Sequence, residues 1–388
     1  MRAVLLTEQN IQCYIWNTLL ENKVSNNHAL NIEGEIAMAK KVVVGLSGGV
    51  DSSVAAYLLK KQGYEVIGVT MHMWQPEGDI TEPASITDAR KVAEALDIPY
   101  YVCDFKEVFE QKVMNYFVEE YLQGHTPNPC TTCNRFVKWE ALLERSHELG
   151  ADYIATGHYA RIIQLPNGRY TIKTSATSAK DQTYALYNLT QEQLAHTIMP
   201  VGEYTKDEIR RIALEANLPV AQKKDSQEIC FIPDNDYASF IERKAGKRVP
   251  GPGNFVTKDG TVIGQHKGIT HYTIGQRKGL NLSMGHPVFV TKICPKTGEV
   301  VIGENADVFS STLICDRVNF MGMEDLKEPR KVMAKIRYAH KGDICLLERM
   351  NETQIRCTFE NPVRAITPGQ AVVFYEQDYV LGGGTIIG

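Results

Sequence analysis

Apolar and polar residues follow two different patterns along the chain. In the first part, short apolar runs alternate with longer stretches in which apolar residues recur every three or four positions. Runs of the first kind predict buried strands, and stretches of the second kind predict helices. The predicted strands are 42–45, 65–71, 100–103 and 151–155, and the predicted helices are 50–62, 87–96, 106–123, 136–149, 191–197 and 206–217. This alternation indicates an α/β domain with a doubly wound parallel sheet.

The second part is dominated by short strands separated by turn residues. One short helix is predicted at 237–244, and the strands are predicted at 288–293, 299–302, 332–338, 344–347, 354–359 and 371–375. Short strands at this spacing favour a small β-barrel. The expected division is a catalytic domain at 41–233, a small central domain at 234–287 and a C-terminal β-barrel at 288–388. Residues 1–40 show no clean period, and we expect this extension not to belong to the core.

Composition limits the function classes. The chain has 388 residues, of which 43% are hydrophobic and 23% are charged, as in ordinary globular proteins. No apolar run approaches the ~20 residues that a membrane helix needs. The net charge of −4 does not indicate a nucleic-acid binder, although the segment 221–300 carries an excess of basic side chains. Nine cysteines without a secretion signal indicate a reducing compartment, so we expect a cytoplasmic protein.

A glycine-rich turn follows the first predicted strand and precedes the first predicted helix. Glycines let the backbone approach phosphate oxygens, and free amides at the helix N-terminus attract anions. No lysine follows Gly49, so this is not the common nucleotide loop that ends in Gly-Lys-Ser. The alternative is an ordinary tight turn, which would not need this composition. The turn matches the SGGxDS signature of the PP-loop ATP pyrophosphatases, and we expect it to bind phosphate through Gly45, Leu46, Ser47, Gly48, Gly49, Val50, Asp51 and Ser52.

From about Lys41 to Gly388 the chain resembles the bacterial tRNA 2-thiouridylases. The resemblance rests on several motifs that occur in the family's order. They are Gly45–Ser53, Thr126–Pro129 with Cys133 and Asn134, Ala155–Tyr159, Lys180–Gln182, Asp225 and Ser226 with Ile229–Ile232, Gly275–Gly279, Thr367–Gln370 and Leu381–Gly384. Each motif alone is a moderate signal, and their order makes the resemblance specific.

This resemblance implies a role for each matching residue. The glycine turn is expected to hold ATP with Mg²⁺, and Met71 and Gly157 are expected to frame the adenine and ribose. Cys133 corresponds to the nucleophilic cysteine, and Cys230 corresponds to the cysteine that carries a persulfide. Asn128, Pro129 and Cys130 are expected beside the target base. The tRNA contacts are expected from His158, Lys180, Asp181, Gln182, Arg337, Tyr338 and Gln370.

The implied reaction replaces the C2 oxygen of the wobble uridine in the tRNA anticodon arm with sulfur. Adenylation makes this oxygen a leaving group, and a persulfide on Cys230 supplies the sulfur. Either Cys133 releases free sulfide from the persulfide, or the terminal sulfur attacks C2 while Cys133 closes a disulfide on Cys230. A donor such as a cysteine desulfurase or a sulfur relay protein is expected to load Cys230. Lys223 or Lys224 is expected to lower the pKa of the thiols.

The chain departs from the family pattern in the loop predicted at 124–135. Many family members have Asp-x-x-Cys there, whereas this chain has Cys130-Thr-Thr-Cys133. Cys130, Cys133 and Cys230 can therefore be read as ligands of a [4Fe–4S] cluster, with a redox pair or a zinc site as alternatives. Two other functions remain open at this point. One is a PP-loop ligase of the amidotransferase-synthetase type, and the other is a tRNA-binding module without catalysis.

Overall fold

The computed structural model describes residues 39–76, 78–225 and 229–388. Nearly all of the predicted extension, together with Ser226 of the Asp225–Ser226 motif, therefore lies outside the described residues. None of the helices in the described ranges is long and apolar enough to cross a bilayer.

The first part of the chain forms a five-stranded parallel sheet with helices on both faces. The strands of this part are β1 Lys41–Gly45, β2 Glu65–His72, β3 Tyr100–Asp104, β4 Tyr153–Ala155, β5 Ala160–Gln164, β6 Tyr170–Thr174 and β7 Thr197–Ile198. The sheet order is β3-β2-β1-β4-β7, and every pairing within it is parallel. The predicted doubly wound sheet is thus confirmed.

Most helices of this part lie where the sequence predicts them. They are α1 Val50–Lys61, α2 Ala84–Ala95, α3 Lys106–Phe109, α4 Asn115–Leu122, α5 Pro129–Cys133, α6 Leu142–Glu148, α7 Gln191–Ala195 and α8 Lys206–Glu215. Two π-helical segments, Glu110–Met114 and Asn134–Ala141, join α3 to α4 and α5 to α6.

The central strand β1 shows why the sheet needs cover on both faces. Val42 and Val44 pack with α1, α2 and α8, whereas Val43 packs with Trp139 and Leu142 on the opposite face. All three valines of β1 are fully buried. Strands that are buried on both faces read as continuous apolar runs, which is how β1 appears in the sequence.

One predicted loop is wrong in part. The segment 124–135 was expected to be a loop because two prolines interrupt it, but the chain is helical from Pro129 onward. Pro129 occupies the first helical position, where its missing N–H costs nothing. Asn128 caps the helix, since its Oδ1 accepts a hydrogen bond of 3.0 Å from the amide of Cys130. Cys130 therefore lies in the first turn of a helix, and Cys133 is the last residue of that helix.

A small sheet and one helix form the middle of the chain. The helix is α9 Tyr237–Ala245, and the strands are β8 Gly253–Val256, β9 Val262–His266, β10 Phe289–Cys294 and β11 Glu299–Gly303. The sheet order is β10-β11-β8-β9. β10 and β11 follow the boundary expected at residue 287 but pair within this central sheet, so the strand pairing favours a domain boundary between Gly303 and Phe309.

The last part is a closed barrel of six strands. They are β12 Phe309–Phe320, β13 Arg330–Lys335, β14 Asp343–Arg349, β15 Ile355–Arg364, β16 Ala371–Glu376 and β17 Tyr379–Ile386. The order is β12-β15-β14-β13-β16-β17, and pairing of β12 with β17 closes the ring. The hairpin β5–β6 of the catalytic domain extends this sheet beyond β17, so the two domains share one hydrogen-bonded layer.

Glycine at position 383 permits a close approach between the barrel and the catalytic domain. A Cβ at Gly383 would lie 2.5 Å from the ring of Tyr187 and 2.6 Å from the carbonyl oxygen of Val372. We expect Gly383→Ala to lower the free energy of unfolding by about 2–3 kcal/mol, because overpacking forces the backbone to shift. Urea unfolding measures this change. Gly251→Ala is the control, since its Cβ would meet no atom within 4 Å. Equal stability of the two variants would contradict the account.

Candidate active site

The glycine turn lies at the carboxyl end of β1, where α1 begins. Its backbone is held from within, because the amide of Ser47 donates to Ser52 Oγ over 3.1 Å and Ser53 Oγ donates to the carbonyl of Gly49 over 2.7 Å. Gly48 adopts a left-handed φ of +67°, and a Cβ there would lie 2.4 Å from the carbonyl oxygen of Ser85. Only glycine fits this position.

The N-terminus of α1 is open to an anion. Its N-cap residue is Gly49, and no side chain of the described residues caps it. Gly157 lies against this turn, since a Cβ there would stand 2.5 Å from the amide nitrogen of Ser52. Met71 lies over the base of the turn, with its Cε 3.3 Å from the Cβ position of Gly45. The predicted phosphate-binding residues and both predicted nucleoside-framing residues thus meet at one place.

A chain of ion pairs begins at Asp51 in the first turn of α1. Lys206 Nζ lies 2.7 Å and 2.9 Å from the two carboxylate oxygens of Asp51, and 2.8 Å from Asp225 Oδ1. Tyr159 Oη donates a 2.7 Å hydrogen bond to Asp51 as well, and burial together with this carboxylate raises the pKa of Tyr159. Lys206 is well shielded from solvent, so its charge is weakly screened.

Asp225 forms ion pairs with two further basic side chains besides Lys206. Lys180 Nζ lies 3.0 Å from Asp225 Oδ2, and Arg210 Nη2 lies 3.1 Å from Asp225 Oδ1. Burial alone would raise the pKa of Asp225, but hydrogen bonds from Lys206 and Lys180 outweigh it and lower the pKa. The pairing connects the first turn of α1 to the start of the segment that leads to Cys230.

Lys223 also belongs to the phosphate side of the site. Its Nζ donates to the carbonyl of Gly48 over 2.9 Å and to Asp88 Oδ2 over 2.7 Å. The expectation that Lys223 acts on the thiols is therefore not supported by its contacts, which hold it at the glycine turn. Lys138 is instead the basic side chain whose charge acts on both thiols. It opposes, but does not cancel, the rise that burial causes in the pKa of Cys133 and of Cys230.

The structure brings the candidate cysteines to one region. Cys130 and Cys133 share a short helix, and Cys133 packs in the same buried apolar cluster as Phe231 and Ile232, which directly follow Cys230. Each of Cys130 and Cys230 contributes to raising the pKa of Cys133, and Cys130 also raises that of Cys230. All three are free thiols, and the Cys133 Sγ contacts the sulfur of Met73 at 3.9 Å. Phe231 packs edge-on against Phe117 with ring centroids 5.6 Å apart. This buried ring anchors the turn that presents Cys230.

Cys133 and Cys230 differ in exposure. Cys133 is buried, and burial raises its pKa to about 12. Cys230 reaches the surface, yet the surrounding protein removes part of its hydration and raises its pKa as well. Both are therefore protonated thiols near neutral pH in this state. A thiolate at Cys133 requires a change in its surroundings.

His158 faces the same region from the end of β4. Its ring lies 5.3 Å from that of Trp139, and its Nδ1 is 2.8 Å from Thr156 Oγ1. Burial, followed by the charge of Lys138, lowers the pKa of His158 well below its usual range. His158 is therefore a neutral hydrogen-bonding group at physiological pH.

Most of the remaining side chains that were predicted to contact tRNA already make hydrogen bonds within the protein. Asp181 accepts from the amide of Ser175 and from Thr183 Oγ1, and the Gln182 Oε1 accepts from the amide of Tyr159 over 2.8 Å. Two residues lie at the barrel, where Arg337 Nη1 donates to the carbonyl of Arg364 over 2.7 Å and Gln370 Nε2 donates to that of Thr126 over 2.6 Å. Tyr338 is exposed. Their roles toward tRNA stay predictions.

The cluster hypothesis requires three thiols that can reach one centre. Within residues 39–76, 78–225 and 229–388, no group of three or more histidine, cysteine or carboxylate side chains is placed to hold a metal ion. Cys133 is turned into the core while Cys130 and Cys230 are exposed. In this arrangement the three cysteines do not fit a [4Fe–4S] cluster, and no step proposed below passes through one.

Sequence reasoning missed several participants of this site, among them Arg210 beside Asp225. Lys206 and Tyr159 reach Asp51 from distant parts of the chain, and Lys138 is an ordinary-looking lysine in a predicted helix. Tyr159 is the last residue of the Ala155–Tyr159 motif, and this motif is the sequence feature that could have indicated a role for it. Nothing in the local sequence distinguishes Lys206 or Lys138 from a surface lysine.

Three family models match the chain in succession. They are described as the tRNA methyl transferase HUP domain over residues 40–234, the tRNA methyl transferase PRC-barrel domain over 238–304 and the aminomethyltransferase beta-barrel domain over 310–386. The fold and these models define an HUP-domain protein that is followed by two β domains. The limits of the models agree with the strand pairing, in which β10 and β11 belong to the central sheet.

Curated relatives identify the family. The tRNA-specific 2-thiouridylase MnmA of Lachnoclostridium phytofermentans is 60% identical over 356 residues, which cover 90% of this chain and 99% of that protein. The protein of the same name from Clostridioides difficile strain 630 is 51% identical over 356 residues, covering 90% of this chain and 98% of that protein. The chain belongs to the family of the tRNA-specific 2-thiouridylases.

A solved structure with a partly similar fold is a 4-thiouridine synthetase in complex with RNA and ATP. It is 17% identical, covers 54% of this chain and 51% of that chain, and gives a TM-score of 0.34. At that score the likeness carries no argument.

The pKa of Cys133 leads to a testable pH dependence. In substrate-free protein, we expect Cys133 to contribute almost no thiolate absorbance up to about pH 10, because the thiolate fraction stays small well below the pKa. Ultraviolet difference titration of the protein against its Cys133→Ser variant measures this contribution, since it reports the folded state directly. Appearance of the Cys133 thiolate between about pH 8 and 9, as for an exposed thiol, would contradict the raised pKa.

Proposed function

We propose that this protein thiolates C2 of the wobble uridine in tRNA, with ATP as the second substrate. The observation that carries the proposal is that the end of β2 contacts both parts of the site. Met71 lies 3.3 Å from the Cβ position of Gly45 at the base of the glycine turn, and Met73, two residues further on, lies 3.9 Å from the Sγ of Cys133. A phosphate site alone would fit many nucleotide enzymes. A pair of thiols at the same edge of the sheet supports sulfur transfer to an adenylated carbonyl, and a ligase that uses an amine donor has no need of that pair.

The phosphate side supplies the activation step. The open amides of α1 and the cations Lys206, Lys180, Arg210 and Lys223 suit the triphosphate of ATP. O2 of the uracil attacks the α-phosphorus, the bond to the β-phosphate breaks, and pyrophosphate leaves. Mg²⁺, when bound, supplies charge that stabilises the departing pyrophosphate. Asp51, in the first turn of α1, would share in holding it.

The thiol side supplies the sulfur. A persulfide on Cys230 attacks C2 through its terminal sulfur, and the O2–C2 bond breaks so that AMP departs with the oxygen. Cys133 then attacks the Sγ of Cys230, which cleaves the persulfide bond, leaves the sulfur on C2 and forms a Cys133–Cys230 disulfide. Release of free sulfide by Cys133 before the attack gives the same products. A thiol reductant must reduce the disulfide before the next turnover.

The tRNA side involves all three domains. The basic side chains of the central region and the exposed Tyr338 suit the anticodon arm, and a flipped uridine can reach the thiols beside Asn128 and His158. Loading of Cys230 by a cysteine desulfurase or a relay protein is part of the proposal, because Cys230 is exposed. We propose a cytoplasmic site of action, where tRNA and such donors meet.

The roles of the thiols predict the behaviour of two serine variants. Cys133→Ser and Cys230→Ser should each reduce thiolation at least 1,000-fold, on the order expected when a nucleophile is removed. Affinity for tRNA should change less than about twofold, because each substitution removes only one sulfur atom. Thiolation is measured by mass spectrometry of digested tRNA, and affinity is measured by filter binding. Cys294→Ser, in the central sheet, is the control. Loss of tRNA binding would make these cysteines structural.

The position of Lys206 predicts a nucleotide-specific defect. Lys206→Met should raise the KM for ATP about tenfold or more, since a charge-assisted hydrogen bond to phosphate is worth roughly 1.5–3 kcal/mol. Steady-state kinetics with saturating tRNA test this. Lys327→Met changes a lysine on the barrel surface in the same way and should leave the KM unchanged. A normal KM for ATP in Lys206→Met would confine Lys206 to a structural ion pair.

A further inference from the structure

The segment that leads into the Cys133 helix is held by the C-terminal barrel. The amide of Thr126 donates to the carbonyl of Pro368 over 2.8 Å, and Gln370 Nε2 donates to the carbonyl of Thr126 over 2.6 Å. Both polar groups of one peptide residue are thus satisfied by the barrel. Thr126 also contacts the central domain, where its Oγ1 lies 3.2 Å from that of Thr273.

Gly369 makes this contact sterically tight. It adopts a left-handed φ of +90°, and a Cβ at this position would lie 3.0 Å from both the Cβ of His125 and the amide nitrogen of Thr126. Backbone therefore packs directly on backbone at this point. A side chain would push the segment away from the barrel.

A second barrel residue reaches the same segment through a buried carboxylate. Glu120, at the end of α4, is largely buried, and its Oε2 lies 2.8 Å from His125 Nδ1. Its other oxygen lies 3.5 Å from Arg317 Nη1 of β12. Burial alone would raise the pKa of Glu120, but the hydrogen bond from His125 and the charge of Arg317 lower it. A charged Glu120 therefore depends on both partners.

Arg317 itself has an unusual backbone conformation. Its φ is +48°, and it lies where the pairing of β12 with β17 shifts register. The bulge directs its guanidinium out of the barrel, to 5.8 Å from the ring of Tyr116 and toward Glu120. Positive φ is uncommon for a residue with a long side chain, and bulges recur where a side chain must be re-aimed.

These contacts lie immediately before the residues that start the Cys133 helix. Only Pro127 separates Thr126 from the capping residue Asn128, and Pro129 occupies the first helical position. Pro127 and Pro129 restrict the backbone between Thr126 and the helix, so the position of Thr126 largely determines where the helix begins. Cys133 follows within the same short helix, so its placement depends on where Thr126 is held.

We propose that Arg317, Gly369 and Gln370, which we call the barrel clasp, are positioning residues that set the placement of Cys133 before tRNA binds. The consequence for catalysis rests on the proposed function, whereas the clasp itself is a property of the free protein. Gln370 thereby has a role different from the tRNA contact that the family resemblance implies. The two roles differ in what they predict when no tRNA is present.

The test uses full-length protein without tRNA or ATP, and follows iodoacetamide labelling of each cysteine by mass spectrometry. Gln370→Ala removes the hydrogen bond to Thr126, and local opening of a segment that has lost one such bond becomes about fivefold more frequent. We expect Cys133 to be labelled about fivefold faster, with Cys103 and Cys345 unchanged. Gln265→Ala makes the same substitution at an exposed position of β9 and should leave every rate unchanged.

Two outcomes would overturn the proposal. Unchanged Cys133 labelling in Gln370→Ala, together with weaker tRNA binding, would make Gln370 a tRNA contact. Faster labelling of Cys345 along with Cys133 would mean that the whole barrel has loosened. Neither outcome depends on whether the protein thiolates tRNA, so failure of the proposed function and failure of the clasp are distinguishable.

A second pair of variants tests the charged part of the clasp. Arg317→Met should accelerate Cys133 labelling and lower kcat for thiolation several-fold while the Kd for tRNA stays within about twofold, since the clasp acts on Cys133. Arg317→Lys keeps a positive charge and should recover most of the lost kcat. Equal defects in both variants, or a change confined to the Kd for tRNA, would contradict a positioning role.

Discussion

The arrangement of the catalytic domain depends on the unsatisfied amides at the N-terminus of α1. A helix of this length leaves its first N–H groups without partners, and here Gly48 and Gly49 leave them uncovered by any described side chain. Such groups favour an anion. The neighbouring elements are consistent with this. Gly157 approaches the turn without a side chain, Lys206 pairs with Asp51, and Lys223 pairs with Asp88 and the carbonyl of Gly48.

Around Cys133, by contrast, the protein disfavours negative charge. A buried cysteine is a poor nucleophile because burial favours the neutral thiol, and Cys133 is buried in this state. The positive charge of Lys138 acts to lower the pKa of both thiols, but burial raises these pKa values by more. The proposed reaction therefore requires that the surroundings of Cys133 change when substrate arrives. Keeping Cys133 protonated until then would limit its unwanted oxidation and alkylation.

Much of the fold could be predicted from the sequence, because burial on both faces of a parallel sheet leaves continuous apolar runs such as that of β1. The missed elements have specific causes. The three glycines within β17 carry no side chain to show a strand pattern, and the prolines before Cys130 look like helix breakers although Pro129 starts a helix. The glycine turn and the cysteines could be found because their composition is unusual. Lys206 and Lys138 could not, because tertiary contacts alone distinguish them from surface lysines.

The most direct test of the central claim follows the oxygen atom that the reaction removes. If the phosphate site and the thiol pair serve one centre, O2 of the wobble uridine must leave on AMP. A tRNA that carries ¹⁸O at this position is thiolated in a single turnover, and the AMP is analysed by mass spectrometry. We expect one ¹⁸O atom in each AMP for each thiolated uridine. AMP that contains no ¹⁸O would show that ATP is not used to activate the base, and would contradict the account.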